Sequence, residues 1–217
     1  HVIQDTDPHP LWCMYMGAGE VNLYLAEFAM IKGDKIGGFD AEYWYNDGVR
    51  ASVVEFNTLA EKNQIPYYGT NYNYDTEDKA IDLLPGEIDN MLETDNVKFT
   101  GTDEEKLEKI YLQLMMHFSE QPDDQYITAR RSGYPKVGSK LIPWREFVNP
   151  TAVPRRYVIN KPTETDQMKA MKEAAYAEQG YKTFGTESGG VFSSDAPLNV
   201  ERVWQDKGAP QWGSGGK

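Results

Sequence analysis

Apolar residues recur at helical spacing in the first quarter of the chain. Residues 19–32 predict a helix that Gly33 ends, and its apolar repeat consists of Val21, Leu25, Phe28 and Ile31. After a Gly-rich connection, Asp40 is the expected N-cap of a second helix. The apolar face of this second helix consists of Tyr45, Val49, Val53 and Phe56. The two helices predict an antiparallel pair over about residues 19–57.

A second helix pair is predicted over about residues 103–131. Thr102 and Glu105 form a capping box in front of a strongly periodic helix. The apolar positions of this helix are Leu107, Ile110, Tyr111, Leu114, Met115 and Phe118. Pro122 suits the first position of the next helix, which is expected to run to Arg131.

The rest of the chain predicts little regular structure. Five prolines divide the irregular segment 132–162, and one more helix is expected over about 166–178, ended by Gly180. The pairs Gly37-Gly38 and Gly189-Gly190 are expected to be flexible turns. The fold class is therefore mostly α, with helix pairs and long irregular aromatic loops. Two pairs are too few to bury a continuous core, so residues 1–217 are expected to be a single-domain portion of a longer protein.

The composition narrows the function classes. The 217 residues carry a formal net charge of −12, which argues against nucleic acid as a partner because phosphate binding needs a concentrated basic surface. No run of about 18 apolar residues is present, so no helix is expected to span a membrane. The single cysteine, Cys13, excludes an internal disulfide.

The sequence has none of the common catalytic or metal-binding patterns. The three histidines lack metal-ligand spacing, and there is no phosphate-binding loop, dinucleotide fingerprint or hydrolase nucleophile motif. With 34 acidic residues, paired carboxylates occur by chance, so a hydrolase has little support. We therefore predict a protein that is not an enzyme and that holds no cofactor and no metal.

A tyrosine-rich segment after the first helix pair is the predicted ligand site. Residues 66–75 are rich in turn formers and have no helical period. Tyrosine offers a flat apolar face for stacking on a sugar ring and a hydroxyl for hydrogen bonding. The predicted ligand-binding residues are Tyr67, Tyr68, Tyr72 and Tyr74. Packing of the loop onto the body of the protein is the alternative.

A conspicuous motif follows the second helix pair and reads Arg130-Arg131-Ser132-Gly133-Tyr134-Pro135. The arginines suit the negative end of a helix dipole, Gly133 fits the left-handed position after the last turn, and Pro135 prevents continuation. We expect a structural motif whose arginines pair with local acids and join the helix end to the Pro-rich segment. Bidentate binding of a carboxylate ligand is the alternative.

This motif resembles the Arg-Arg-Thr-Gly-Tyr-Pro helix end of the SusD/RagB-type nutrient-binding lipoproteins of the Bacteroidetes outer membrane. Residues 16–27 resemble the family's Met-x-x-x-Glu-Val-x-x-x-x-Ala-Glu helix, and residues 45–52 resemble its Tyr-Asn-x-Gly-Ile-x-Ala-Ser helix. Residues 108–113, 154–157 and 202–206 are similar to its Glu-Lys-Ile-x-x-Gln helix, its Pro-Arg-Arg segment and its terminal Arg-Val-Trp-Trp-Asp. The main departure is Gln205 in place of the second tryptophan.

The resemblance implies a tetratricopeptide-like helical core in the C-terminal portion of a longer lipoprotein. It implies a protein on the extracellular face of the outer membrane that captures oligosaccharide or peptide and delivers it to a SusC-like TonB-dependent transporter. The link to the membrane would be an N-terminal lipid anchor that is not part of this chain. A helical-repeat adaptor that binds only a protein partner is the alternative function.

Overall fold

The computed structural model describes residues 16–62, 83–144, 156, 159–182, 184 and 201–210. More than half of these residues are helical and none of them lies in a β-strand, which confirms the mostly α fold class. The α-helices are α1 (Ala18–Lys32), α2 (Ala41–Lys62), α3 (Glu87–Leu92), α4 (Asp103–His117), α5 (Pro122–Ser132) and α6 (Lys169–Gln179). Short 3-10 helices are formed by Phe118–Glu120 and Trp204–Asp206.

The chain divides into two compact units, His1–Glu120 and Gln121–Lys217. The helices α1 to α4 belong to the first unit, and α5 and α6 belong to the second. Both helices of the second predicted pair are present, but α4 and α5 fall in different units. Their packing as a pair therefore stays a prediction.

In the first unit, α1 and α2 pack against each other as an antiparallel pair. The direction follows from the contacts, because Gly19 lies against Ser52 whereas Leu23, one turn later on α1, lies against Gly48, one turn earlier on α2. A Cβ atom on Gly48 would lie 2.9 Å from the Cγ of Leu23, and a Cβ on Gly19 would lie 2.8 Å from the backbone of Ser52. The absence of side chains at the two glycines is what allows the helices to come this close.

A carboxylate from α2 caps the beginning of α1. The N-cap residue Gly17 has no side chain to accept a hydrogen bond. Instead, Glu55 Oε1 accepts from Ala18 N at 2.6 Å, and Glu55 Oε2 accepts from Gly19 N at 3.2 Å. A negative charge at this position also matches the positive end of the helix dipole. The cap thus ties the two helices together at their close contact.

The buried face of α1 differs from its predicted apolar repeat. Val21, Phe28 and Ile31 are exposed, and Leu25 is half-buried. The buried apolar residues are Leu23, Ala26 and Ala29. Apolar residues lie on every side of α1 and polar ones are scattered among them, so its periodicity does not select one face. The face with small side chains turns inward because only that face can approach α2 closely.

The apolar positions of α2 and α4 meet in the core of the first unit. Tyr45 and Val49 are fully buried, as are Ile110 and Leu114 on α4. The hydroxyl of Tyr45 donates to the carbonyl oxygen of Val97 at 2.7 Å, which satisfies its buried polar group. Burial raises the pKa of Tyr45, so this phenol is a hydrogen-bond donor throughout the physiological pH range.

The capping box of α4 is present as predicted. Glu105 N donates to Thr102 Oγ1 at 3.2 Å, and Thr102 N donates to Glu105 Oε2 at 2.9 Å. On the same helix, the buried Lys109 directs its ammonium group at the loop between α3 and α4. It donates to the carbonyl oxygens of Asp95, Lys98 and Thr100. One side chain therefore organises the backbone of this loop.

In the second unit, α5 and α6 both end at a glycine in the left-handed conformation. Gly133 has a φ of 82° and donates to the carbonyl of Ala129, and Gly180 has a φ of 77°. Both predicted helix ends are confirmed. The start of α6 lies three residues after the predicted one, because Asp166 belongs to a turn in which its carboxylate accepts from Met168 N at 2.9 Å.

The helix α6 carries its polar side chains on its inner face. The half-buried residues follow helical spacing and are Lys169, Lys172, Tyr176 and Gln179. Met168 and Met171 are exposed, and α6 has no fully buried residue. In the described part of the segment 132–162 there is no helix beyond Ser132, and an isolated bridge joins Lys136 to Pro143.

Replacing Gly19 with alanine is expected to lower the free energy of unfolding by about 1–3 kcal/mol, because the added methyl group overpacks the contact with the backbone of Ser52. Gly48→Ala is expected to lower it as well, since its Cβ atom would lie 2.9 Å from the Cγ and 3.0 Å from the backbone nitrogen of the fully buried Leu23. The loss would appear even though alanine favours a helix over glycine by about 1 kcal/mol. Urea unfolding followed by circular dichroism measures both changes.

Gly208→Ala is the matched control, since a Cβ atom at Gly208 meets nothing within 4 Å. Its free energy of unfolding should stay close to that of the wild-type protein. Equal stability of the Gly19 and Gly208 variants would show that the α1–α2 contact is looser than described.

Candidate functional site

The connection between α1 and α2 is a tight turn with Gly37 and Gly38 at its tip. Ile36 N donates to Phe39 O at 2.9 Å, and Phe39 N donates to Ile36 O at 3.1 Å. The glycines have φ values of 59° and 90°, as in a type I′ turn, which other residues adopt only with strain. The turn predicted at these two glycines is confirmed, and its two backbone hydrogen bonds define the path of the chain between the helices.

The first turn of α2 locks the residues that follow. Asp40 is the N-cap as predicted, and its Oδ1 accepts from Tyr43 N at 2.9 Å. Phe39 precedes the cap and packs against Trp44 in the arrangement of a hydrophobic staple. Trp44 Nε1 donates to the carbonyl oxygen of Ile36 at 2.9 Å. Turn, cap and staple together hold three aromatic side chains in place.

Phe39, Tyr43 and Trp44 form a cluster that we call the aromatic platform. The rings of Phe39 and Tyr43 stack, with centroids 3.9 Å apart and planes inclined by 15°. Trp44 meets both rings at 83°, with centroid distances of 5.6 Å and 5.3 Å. Phe39 and Tyr43 are each 43% exposed, and Trp44 is half-buried beside them. Two stacked rings leave one outer face each, so the platform offers flat apolar surface to a ligand.

Acidic residues accompany the aromatic platform. Between residues 33 and 44 the chain has three exposed carboxylates, on Asp34, Asp40 and Glu42, and one lysine, Lys35. The carboxylate of Asp40 lies at the platform, because it accepts from the backbone of Tyr43. A carboxylate has about four acceptor positions, so Asp40 can also accept protons from ligand hydroxyls. The site can thus bind apolar faces and hydroxyls, and it disfavours anions.

The sequence-based prediction did not identify the aromatic platform, although its signals are local. Two adjacent glycines between Ile36 and Phe39 are typical of a type I′ turn. Aromatic residues just before the N-cap Asp40 and four residues after it are the pattern of a hydrophobic staple. The predicted ligand residues, Tyr67, Tyr68, Tyr72 and Tyr74, lie outside the described residues. Their role stays a prediction.

The arginine motif at the end of α5 has a structural partner. Arg130 Nε donates to Asp206 Oδ1 at 3.0 Å, and Asp206 is almost fully buried. The neighbouring Arg131 is exposed. The acid that Arg130 contacts thus lies in the C-terminal 3-10 helix, 76 residues along the chain, whereas the sequence predicted a local acid.

The remainder of the motif closes the helix end. Gly133 takes the left-handed conformation. Tyr134 is buried, and its backbone N–H donates to Ser132 Oγ at 3.2 Å. The Tyr134–Pro135 peptide bond is cis. These contacts support the structural interpretation of the motif, since its glycine, tyrosine and proline all shape the backbone.

A second arginine of the second unit lies in a buried cluster. Arg156 pairs with Glu201, and both side chains are nearly inaccessible. The guanidinium of Arg156 lies 4.3 Å from the ring centroid of Tyr181, and Glu201 also accepts from Lys182 N at 3.1 Å. A buried pair of this kind joins distant parts of the chain and is closed to solvent.

A buried serine–histidine pair lies in the core of the first unit. Ser52 Oγ is 2.8 Å from His117 Nδ1, and the rings of Phe56 and Phe118 pack edge-on against the imidazole. His117 is 1% exposed, and its Nε2 has no hydrogen-bond partner in the described part of the chain. Serine and histidine can act as nucleophile and base. Here the enclosure by aromatic rings keeps substrate away, and we assign the pair a packing role.

Burial lowers the pKa of His117, although the nearby charge of Glu55 acts in the opposite direction. The imidazole is therefore neutral in the folded protein at neutral pH. Because the unfolded chain binds a proton at a higher pH than the folded chain does, acid favours unfolding at this residue.

Two further properties concern the described residues only. They contain no group of three or more histidine, cysteine, aspartate or glutamate side chains placed to hold a metal ion. None of their helices combines the length and the apolar character that crossing a membrane requires.

Comparisons with models of protein families, with curated proteins and with solved structures gave no match. The function proposed for this chain accordingly rests on its residues and on the contacts described above.

Replacing Arg130 with alanine is expected to lower the free energy of unfolding by about 2 kcal/mol, because Asp206 loses a charged partner in a buried setting. Arg202 Nε, 4.0 Å from Asp206 Oδ2, retains part of the compensation. Lys207→Ala, which removes an exposed positive charge from the residue after Asp206, is the matched control, and it is expected to change stability by less than about 0.5 kcal/mol. Urea unfolding compares the two variants, and equal losses would contradict the assignment.

The stability of the protein is expected to depend on His117 in mild acid. As the pH falls through about 6.5, the unfolded chain takes up a proton that the folded chain refuses, so the free energy of unfolding decreases until the lowered folded pKa is reached. His117→Leu should remove this part of the pH dependence. Urea unfolding at about pH 7.5 and about pH 5.5 measures it. The same decrease in both proteins would exclude His117 as its origin.

Proposed function

We propose that this chain is part of a cell-surface nutrient-binding lipoprotein of the SusD/RagB type. It captures oligosaccharide or peptide at the extracellular face of the outer membrane and delivers it to a SusC-like TonB-dependent transporter. The observation that carries the proposal is the aromatic platform, an exposed pair of stacked rings held by a rigid turn. Such a surface suits capture and release of a ligand without chemistry.

The residues that resemble the family support the proposal through the contacts they make. In the stretch 45–52, Tyr45 bonds to the loop after α3, Gly48 accommodates Leu23, and Ser52 bonds to His117. A motif made of residues that hold the fold is expected to persist in a family whose ligands vary. The antiparallel pair α1–α2 likewise supports a tetratricopeptide-like arrangement of helices.

The arginine motif and the terminal stretch 202–206 support the same interpretation. Arg130 from the first and Asp206 from the second form an ion pair. Arg156, from the stretch 154–157, pairs with Glu201 just before the terminal stretch. Sequence motifs that are far apart in the chain thus make contacts with one another or with adjoining residues, as parts of a single fold do.

A binding protein that passes its ligand onward needs a surface that is ready before the ligand arrives. The platform has this property, because the staple and the Trp44–Ile36 hydrogen bond already order its rings. Little conformational entropy is lost on binding, so modest contacts suffice for capture and exchange remains fast. In this proposal Tyr67, Tyr68, Tyr72 and Tyr74 supply additional contacts to the ligand.

Affinity purification of the protein from its native cells, solubilised with detergent, tests the proposal. We expect a TonB-dependent barrel to copurify, and we expect the protein on intact cells to be digested by added protease. Calorimetry with oligosaccharides and with peptides identifies the ligand class. Tyr68→Ala and Tyr72→Ala test the tyrosine-rich segment, and unchanged affinity in both variants would remove it from the site.

Recovery of the protein from the cytosol with a soluble partner, and without ligand binding, would contradict the proposal. That result would favour the alternative function, a helical-repeat adaptor. A specific observation favours this alternative: two helices present apolar side chains to solvent. They include Val21, Phe28 and Ile31 on α1 and Met168 and Met171 near the start of α6.

A further inference from the structure

We infer that the aromatic platform is a binding site for uncharged sugar rings and that it discriminates against sugars carrying carboxylate or sulfate groups. The inference rests on the proposed function and adds the chemical class of its ligand. It follows from three properties of the site: the orientation of the rings, the acceptor beside them and the charge around them.

The orientation of the rings suits a flat ligand. Phe39 and Tyr43 stack back to back at 3.9 Å, so their outer faces point away from each other and do not converge on one point. One face of a pyranose ring is lined by C–H groups and is flat enough to lie on an aromatic face. Trp44 packs nearly perpendicular to both rings and helps to hold them in this arrangement.

An acceptor for hydroxyl groups lies next to the rings. Asp40 Oδ1 is 2.9 Å from the backbone nitrogen of Tyr43, which places the carboxylate at the edge of the platform. The hydroxyl of Tyr43, on the exposed side chain, is both donor and acceptor. A sugar that stacks through its C–H face directs its hydroxyl groups sideways, where such partners can bind them.

The surrounding charge disfavours anionic sugars. Within residues 36–44, which form the platform, Asp40 and Glu42 are the charged residues, and the whole chain carries a formal net charge of −12. A uronate or a sulfated sugar on the platform would bring another negative charge toward Asp40, and like charges repel. A neutral sugar meets no such penalty.

A peptide is less suited to this geometry. Negative charge near aromatic rings could attract a lysine or arginine side chain, since a cation is stabilised over a ring face. Strong cation sites, however, surround the charge with several converging faces, and the faces of Phe39 and Tyr43 diverge. We therefore make a basic peptide the competing outcome of the test.

Isothermal titration calorimetry tests the site with the full chain. The probes are neutral tetrasaccharides of glucose, mannose, xylose and galactose, together with tetragalacturonic acid and an arginine-rich peptide. We expect at least one neutral tetrasaccharide to bind, with affinity reduced about tenfold in Phe39→Ala and in Tyr43→Ala. Phe28→Ala is the matched control, because Phe28 is an exposed aromatic residue on α1 outside the platform. Its affinity should equal that of the wild type.

Tyr43→Ala keeps the test valid if the loss of the staple in Phe39→Ala unfolds the protein, because the Phe39–Trp44 contact remains. The double variant Asp34→Asn, Glu42→Gln tests the charge. It should bind the neutral sugar as the wild type does and bind tetragalacturonic acid more tightly than the wild type does. Asp40 is left unchanged in this variant, since it caps α2.

The outcomes separate this inference from the proposed function. Neutral sugars that bind equally well to the wild type, Tyr43→Ala and Phe28→Ala would overturn the inference and leave the proposed function standing. Binding of the arginine-rich peptide alone, or binding of tetragalacturonic acid as tight as that of neutral sugars, would also overturn it. A TonB-dependent barrel that copurifies in those cases would still support the proposed function, and its absence would count against that function independently.

Discussion

The close approach of α1 and α2 is the constraint on which the first unit depends. Because Gly19 and Gly48 carry no side chain, the two backbones come near enough for groups on one helix to bond to the other. This spacing places Glu55 on the free N–H groups of α1 and brings Ser52 within reach of α4. It also sets the separation that the Ile36–Phe39 turn has to bridge. The position of the aromatic platform, at the turn between the two helices, therefore depends on the close packing that Gly19 and Gly48 allow.

Helix positions could be predicted from the sequence because their causes are local. Periodic apolar residues, the Thr102–Glu105 capping box and the glycines after α1, α5 and α6 act within a few residues of one another. The buried face of α1 could not be predicted from periodicity, because its apolar residues lie on every side and fit the same pattern in several orientations. Close packing against α2 selects the buried face of α1. Which face can pack closely depends on the partner helix as well as on α1 itself.

The features described around the candidate site also differ in how far the sequence indicates them. The aromatic platform lies within residues 36–44, so the signals for its turn and its staple are both local in the sequence. The contact between Arg130 and Asp206 spans 76 residues. In a chain with 22 basic and 34 acidic residues, charge alone does not identify such a pair. The packing of the whole unit determines which acid pairs with which arginine. A single sequence does not indicate this pairing.

Lys109 shows how misleading the sequence of a charged helix can be. It stands among acidic residues on α4 and would pass for a solvent-exposed cation, yet its ammonium group is buried and bonded to three carbonyl oxygens of one loop. An ammonium has three donors that rotate freely, which suits three carbonyl oxygens of one loop. Lys109 acts as an internal counter-ion to backbone dipoles, much as a bound metal ion would. The loop after α3 thus owes its shape to a cation that the chain supplies itself.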